Sequence, residues 1–527
     1  MSDTQWTIPD DPSGQNPNGV SLSIINQLNP QFINHGVKFV IQVGDLTESG
    51  YDAGIASRAA AAQALYKAGI GFFPMRGNHE TYAKPEGTNN YGIPAIQRNF
   101  PQTRGLSNTF GATNFNSPTS LSTDLDGMSY SFDYGIAGNN ARFVIVDDWA
   151  TPSKRVDAAD YRYGYSIADQ QTWISSRLDK TTRGTQHIFV FSHQNLIGEN
   201  HQDSLFSGYT NANPGMQNAF FSSLQKNDVK YYVSGHDHIH QRSIISSPDG
   251  NSKVQELIGA SNSSKFYTPK DLADPNWYDQ KVRETPLSQE LYAVGYYIFT
   301  VDGPHVTVDY YADDHGGWQS DKSYPEGPKD AGSHITPTFN FVKKETWGYS
   351  LNGKEFLIGG NKGTSYTIVQ DNYENTAAKI LSGTYGNKAK DYNNRALTQT
   401  VATGWTSDLS DSLASNILTL WGMAGLGSPG TDVYTLSMSY DHNRVRSMHL
   451  GKGGLGIATR NAEGNWVNAV NMNYGGIKKF VEGPWGPSYE LGTYGVDPRT
   501  KTAWAVINYN GDFAVALDME SVPRTRK

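Results

Sequence analysis

The sequence predicts an α/β domain followed by an all-β domain, and three observations carry that expectation. Through roughly the first 312 residues, short apolar runs alternate with stretches of helical periodicity, and the polar residues gather just after the apolar runs. At Asp313–Pro337 the composition turns to Gly, Asp, Lys, Ser and Pro, the make-up of a linker. Beyond it, residues 338–527 consist of short alternating segments separated by Gly and Asn turns, with few helix signals, as in a β-sandwich. The expected division is therefore 1–312, a linker at 313–337, and an accessory β domain at 338–527.

In chain order, Val20, Ile24, Ile25, Leu28, Phe32 and Ile33 recur at helical spacing, with Pro30 expected to end or kink that helix. Val37–Val43 reads as a buried strand ending at Gly44-Asp45. Residues 52–68 are Ala-rich and helical, and Ile70–Met75 is the next strand, ending at Gly77-Asn78-His79. The Asn/Gly/Thr-rich excursion at 81–128 shows little periodicity, and a loop of that length beside a motif is expected to be functional. Strands are expected at Tyr130–Tyr134 and Arg142–Asp147. Ser166 and Asp169 form a capping box before a helix containing Trp173, Ile174 and Leu178. The strand His187–Phe191, a helix near 215–227, the strand Val229–Val233 and strands at about 292–300 and 304–311 complete the domain. In the C-terminal part, segments such as Tyr366–Val369, Val433–Met438 and Ala503–Ile507 alternate as strands do, with no fixed-period repeat of a propeller.

The chain has 527 residues, too many for one ordinary core. Its formal charge of −8 is mild for that length and gives no reason to expect bulk nucleic-acid binding. It contains no cysteine, which removes disulfides and thiolate metal sites. No apolar run approaches the roughly 18–20 residues of a membrane span. A cysteine-free, Tyr- and Asn-rich composition is common among exported bacterial proteins. An extracytoplasmic location, periplasmic or secreted, is thus the expectation, with the leader absent from the sequence as it stands. Met1–Gln5 reads as the exit from a strand with none before it, so the natural protein is expected to extend further upstream. Neither a Gly-x-Ser-x-Gly elbow nor a Walker loop occurs, which sets aside serine-hydrolase and P-loop chemistry.

The chemistry-bearing residues lie at strand ends: Val43-Gly44-Asp45, Arg76-Gly77-Asn78-His79-Glu80, Phe191-Ser192-His193-Gln194-Asn195 and Gly235-His236-Asp237-His238. Any one of these is a weak signal, since turns rich in Gly, Asp and His are common. Collected with Asp3 and Gln5, they offer oxygen and imidazole donors without sulfur, a mixture suited to Mn, Fe or Zn rather than to an all-oxygen Ca site. There are enough donors for two ions if one carboxylate bridges them. Two metals about 3.5–4 Å apart can hold a hydroxide and clamp the oxygens of a phosphoryl group.

The set Asp3-x-Gln5, Gly44-Asp45, Gly77-Asn78-His79-Glu80, His193 and Gly235-His236-x-His238, in that order and each but the first after an apolar strand, resembles the calcineurin-like metallophosphoesterase superfamily over residues 1–312. The resemblance implies a four-layer sandwich, two mixed β-sheets flanked by helices, with a dimetal site at their edge. It implies that Asp45 bridges two divalent or trivalent ions. Asp3 and His238 would then be ligands of the first, and Asn78, His193 and His236 of the second. His79 would be a non-ligand catalytic histidine that stabilises the phosphoryl oxygens or protonates the leaving alkoxide. Gln5 departs from the histidine usual at its position and is expected to remain a ligand through its neutral amide oxygen.

The implied activity is metal-dependent hydrolysis of phosphoric esters, monoesters or diesters, by a metal-bridging hydroxide. The alternatives are a phosphodiesterase or nucleotide hydrolase of narrow specificity, and a non-catalytic surface binding protein with a weakened metal site, the latter motivated by Gln5. Arg76, Asn195 and His201 are candidates for contact with the phosphate-ester substrate. Asp313-Asp314-His315 reads as a solvated turn in the linker. Trp347, Tyr349, Trp405, Trp485 and Tyr489 are either core aromatics of the sandwich or a stacking surface. The oligomeric state is not encoded in any recognisable feature.

Overall fold

A computed structural model of the chain describes residues 1–7, 14–82, 92–148, 165–202, 205–206, 213–274, 280–314, 336–358, 365–368, 375–383, 389–407, 410–425, 431–450, 453–517 and 519. The chain divides into two compact units. The first comprises Met1–Gly303, Tyr310–Lys343 and Asp391–Arg395; the second comprises Pro304–Asp309, Lys344–Lys390 and Ala396–Lys527.

The first unit starts with α1 (Leu22–Asn34), β1 (Phe39–Gln42), α2 (Asp52–Lys67) and β2 (Gly71–Pro74). Pro30 lies inside α1 and does not end it. β1 and β2 pair in parallel, Phe39 opposite Gly71. Residues 1–5, though not a regular strand, run beside β1 and the turn after it. Val43 N–H donates to the Met1 oxygen (3.0 Å), Asp3 N–H to the Gly44 oxygen (3.3 Å) and Thr4 N–H to the Asp45 oxygen (2.7 Å).

The expectation of an aperiodic excursion at 81–128 is corrected among its described residues: α3 (Ile93–Asn99) and β3 (Thr113–Asn116) form there, and residues 83–91 lie outside the described residues. α3 is only two turns long and buries Ile93, Ala95 and Ile96, too few apolar positions for a recognisable period.

There follow β4 (Tyr130–Ile136), β5 (Asn139–Val146), α4 (Ile167–Leu178), β6 (His187–Ser192), α5 (Pro214–Lys226), β7 (Tyr231–Ser234), β8 (His240–Ser246), β9 (Lys253–Ile258), β10 (Glu284–Glu290) and β11 (Gly295–Asp302), and then β12 (His305–Asp313) and β13 (Phe341–Ser350), each divided between the two units. The capping box at the start of α4 is present, the Ser166 hydroxyl accepting from Asp169 N–H and the Asp169 carboxylate from Ser166 N–H.

Eight strands form one mixed sheet in the order β10-β8-β9-β7-β6-β5-β4-β3. Its centre is parallel (β5, β6, β7 and β9) and its flanks are antiparallel. Helices α4 and α5 cover one face through Ile174, Leu178, Phe220 and Leu224, packed against Val144, Val190, Tyr232 and Val254. On the other face, Phe39 of β1 sets its ring edge-on to Phe132 and Phe143. Helices α1, α2 and α3 pack beyond β1 and β2 around Leu28, Phe32, Ile55, Leu65 and Ile96. Helix, sheet, sheet, helix is the expected layering, and it puts the carboxyl ends of β1, β2, β6 and β7 along one edge.

Of the expected linker, residues 315–335 lie outside the described residues, His315 among them. Asp313 is not a solvated turn residue: it is 1% exposed and its carboxylate accepts from Asn340 N–H (2.6 Å).

The second unit holds two six-stranded sheets. One orders its strands Glu355–Ile358, Gln399–Thr406, Ile417–Trp421, Gly511–Ala516, Gly456–Arg460 and Trp466–Asn468. The other orders them Ser365–Thr367, Ala377–Ser382, Val433–Ser439, Thr502–Ile507, Thr493–Asp497 and Lys479–Glu482. Val401, Leu418, Ile457 and Phe513 from the first share one core with Ile380, Leu436, Val496 and Ile507 from the second, which makes a β-sandwich. Trp347, Tyr349 and Trp405 are buried, as core aromatics would be. Trp485 and Tyr489 are half-buried, Tyr489 stacking on Trp504 at 5.2 Å.

Candidate metal centre

The turn after β1 carries Asp45, the turn after β2 carries Asn78 and His79, the loop after β6 carries His193, and the turn after β7 carries His236 and His238. Local sequence explains why these turns are sharp enough to converge. Gly44 has φ of +78°, and a Cβ there would lie 2.1 Å from His193 Nδ1. At Gly77 a Cβ would lie 2.1 Å from Asp45 Oδ1 and 2.5 Å from Asp45 N, so only glycine lets the two turns approach. Asp3, Asp45, His236 and His238 themselves adopt positive φ, at 53°, 47°, 73° and 54°. Such conformations cost free energy in non-glycine residues and persist where the surroundings over-determine them, as they do at functional sites.

The side chains converge as two donor sets sharing one carboxylate. Asp45, His193 and His236 bring ligand atoms within 4.8 Å of one another, and so do Asp3, Asp45 and His238. All five residues are buried. Asn78 joins the first set, its Oδ1 lying 3.1 Å from His193 Nε2, which is itself 3.3 Å from Asp45 Oδ1. Gln5 joins the second, its amide nitrogen 3.1 Å from Asp45 Oδ2 and 3.0 Å from His238 Nε2. The Gln5 side-chain oxygen and Asp3 Oδ2 are buried with no hydrogen-bond partner. Unsatisfied buried oxygens are costly; a cation would satisfy Asp3 Oδ2, and the Gln5 oxygen once the amide is turned, because its nitrogen is the atom facing Asp45 and His238. The donor set therefore fits two metal ions.

Backbone carbonyls fix the imidazole orientations. His193 Nδ1 lies 2.9 Å from the Val43 oxygen and His238 Nδ1 lies 2.7 Å from the Lys265 oxygen. Carbonyls only accept, so Nδ1 donates and Nε2 faces the site in each. The electrostatics point the same way. Burial raises the Asp3 carboxyl to about 7, with a push from Asp45 against the pull of His193. Burial opposes charge on His193 as well, yet Asp45 lifts that imidazole to about 10. Burial would also raise Asp45, but His193 and His79 hold it well below the usual carboxylate range. His236 and His238 are driven well below their ordinary value, first by burial, and so are neutral donors. A cation bound here would take the place of the proton that the carboxylates hold on His193.

His79 stands beside this cluster, partly exposed. Its Nε2 is 4.0 Å from Asp45 Oδ2 and its backbone N–H donates to Asp45 Oδ1 (3.0 Å). Its Nδ1 is 2.9 Å from the Glu48 backbone oxygen and 3.2 Å from the Glu48 carboxylate. Burial opposes its charge, but Asp45 and Glu48 together raise it to about 9.

The three residues expected to contact substrate have different surroundings. Arg76 is fully buried, its guanidinium forked onto both carboxylate oxygens of Asp147 (2.9 and 3.1 Å). Its charge is neutralised inside the fold, so the structure shows an ion pair where a substrate-facing arginine was expected. Asn195 is fully buried in the loop after β6. His201 stays beside the cluster, its ring 4.1 Å from that of His236 and its Nδ1 2.7 Å from Asp237 Oδ1.

Several positioning residues were not singled out in the sequence. Glu80 takes Thr47 N–H on one carboxylate oxygen (3.0 Å) and Gly77 N–H on the other (2.8 Å), tying the Asp45 turn to the Asn78 turn. Asp237 accepts from the backbone N–H groups of Glu199, Asn200 and His201. Glu256 accepts from those of Leu196 and Ile197, anchoring the loop that follows His193. Glu80 and Asp237 sit within the motifs, which was their only signal. Glu256 lies on β9 without any local mark.

Residues 2–240 match the family model described as calcineurin-like phosphoesterase. No curated protein matches the chain. Among solved structures, the chain is similar to GAP50, the anchor in the inner membrane complex of Plasmodium, at 14% identity over 64% of this chain and 90% of that one, with a TM-score of 0.34. It is also similar to purple acid phosphatase PPD1 from yellow lupin (Lupinus luteus) seeds, at 13% identity over 55% of this chain and 46% of that one, with a TM-score of 0.35. The protein TT1561 of Thermus thermophilus is similar at 7% identity over 48% of this chain and 88% of that one, with a TM-score of 0.25.

Proposed function

We propose, from the premise that residues 2–240 belong to the calcineurin-like phosphoesterase family, that this chain is a metal-dependent phosphoric ester hydrolase with a dinuclear centre bridged by Asp45. The observation that carries the reading is the pair of buried donor sets with Asp45 common to both. Asp3, Gln5 and His238 would hold one ion, the Gln5 amide turned so that its oxygen faces the metal. Asn78, His193 and His236 would hold the other. Bound divalent or trivalent ions (Mn, Fe or Zn) would supply Lewis-acid stabilisation of the phosphoryl oxygens and activation of a water nucleophile.

The chain's own residues do the rest. Asp45 and Asp3 would supply the charge that retains the cations, and the carbonyls of Val43 and Lys265 keep Nε2 of His193 and His238 aimed inward. His79 is anchored at Nδ1 by Glu48, and Asp45 and Glu48 favour a proton on its ring against burial. From beside Asp45 that proton can stabilise developing phosphoryl charge or pass to the leaving alkoxide.

The test is hydrolysis of p-nitrophenyl phosphate and of bis-p-nitrophenyl phosphate by Mn-reconstituted protein, with Asp45→Asn as blank. Faster turnover of the monoester identifies a phosphatase, and faster turnover of the diester a phosphodiesterase. No turnover of either above the blank would overturn the hydrolase reading.

A further inference from the structure

Residues 261–267, which follow β9, form a short loop held from three sides. Ser263 Oγ donates to the Gln5 backbone oxygen (2.7 Å), Thr7 N–H donates to Ser264 Oγ (2.9 Å), and the Lys265 oxygen takes the His238 Nδ1 proton. The backbone of Lys265 is thus fixed against one of the candidate ligands. Its side chain is half-buried and its Nζ lies 4.7 Å from the centre of the Tyr267 ring. That ring meets His201 edge-on at 4.7 Å and His238 at 5.0 Å, so the ammonium rests on an aromatic wall that also borders the histidine cluster. Burial lowers Lys265 from its ordinary value, against the opposing pull of Glu48, Asp45 and Asp3. The ammonium makes no ion pair with any of them, nor with another described residue. A lysine held by a ring and a fixed backbone, with its ammonium protons uncommitted among the described residues and beside the candidate metal centre, is preorganised for an anion.

We propose that Lys265 is a substrate-binding residue whose ammonium takes a non-bridging phosphoryl oxygen and favours dianionic phosphomonoesters over monoanionic diesters. This rests on the phosphoesterase reading above and names the substrate class of that site. The charge argument is simple: a cation outside the metal pair attracts a dianion about twice as strongly as a monoanion at the same distance. The sequence held no hint of it, because Lys265 belongs to no motif and is placed by a backbone contact to His238.

Binding of inorganic phosphate decides the matter without requiring turnover. Mn-reconstituted wild type, Lys265→Met and Lys265→Arg are compared by calorimetric titration with phosphate, with metal content and thermal midpoint measured on each sample. The expected result is a roughly 10- to 100-fold weaker phosphate affinity for Lys265→Met, the range for one hydrogen bond to a charged group, with metal content unchanged and partial recovery in Lys265→Arg. The ratio of monoester to diester turnover should fall in the methionine variant. Equal phosphate affinity in wild type and Lys265→Met, or no phosphate binding by the wild type, overturns the proposal. A wild type that binds phosphate through Lys265 yet hydrolyses neither ester would instead remove the hydrolase reading and leave Lys265 as an anion-binding residue.

Discussion

His79 and Glu48 form a pair in which the imidazole Nδ1 contacts both the backbone oxygen and the carboxylate of the glutamate, at 2.9 and 3.2 Å, and Nε2 is left turned toward Asp45. One ring nitrogen is anchored and the other is presented to the site. The arrangement orients the ring and favours its charged form without making it part of either donor set.

His79→Ala should therefore keep its metal and lose rate, by about 10²- to 10⁴-fold if the ring acts as a general acid. The loss should be steepest for esters with poor leaving groups, measured as kcat across a series of aryl phosphates. A uniform loss across the series would count against the proton-transfer role and leave only charge stabilisation.

Asp45→Asn removes the carboxylate common to both sets. Metal analysis of the variant should find well under two equivalents, and turnover should drop by more than the ~100-fold that loss of an outer-shell partner can cause. In the wild type, Mn at a hundredfold excess over its Kd should stabilise the fold by about 2.7 kcal/mol, seen as a rise in Tm that a chelator reverses. Near wild-type turnover in Asp45→Asn would sink the bridging assignment.

Glu80→Gln keeps the shape of the side chain but offers one acceptor oxygen where two buried N–H groups, of Thr47 and Gly77, need partners. The unpaired group should cost about 1–3 kcal/mol and loosen the turns bearing Asp45 and Asn78. Thermal unfolding and metal content should fall together. An unchanged Tm would show that the two turns hold each other without Glu80.

A buried ion cluster away from the metal ligands sets an acid limit. Burial would raise the Glu284 carboxyl, but Lys281 (3.0 Å) and Arg395 (2.7 Å) draw it down to about 2. A carboxyl lowered on folding contributes stability that is present above its unfolded pKa, near 4.5, and is lost as pH falls toward 2. The Tm of the wild type should therefore drop between about pH 5 and pH 2. Glu284→Gln should begin lower and fall less steeply, and parallel curves would remove Glu284 as the cause. Arg395→Met leaves buried carboxylates with less compensation and should cost roughly 3 kcal/mol at neutral pH.

The sequence by itself determined the α/β layering, the sandwich, and the order of the motifs that carry Asp45, Asn78, His79, His193, His236 and His238. Both kinds of information are local: hydrophobic period marks the strands and helices, and Gly44, Gly77 and Gly235 mark three of the four strand ends where the polar residues leave the sheet. What sequence could not hold was partnership across the sheet edge. Arg76 adjoins a motif, yet its guanidinium pairs with Asp147 just past the end of β5, a contact that spacing along the chain does not encode. Only the folded chain decided that Glu80 would bind two turns rather than face a ligand, that Glu256 would anchor the loop after His193, and that Lys265 would lie against His238. Each of these depends on which strand ends become neighbours, and that follows from packing the whole sheet between its helices rather than from any single stretch of residues.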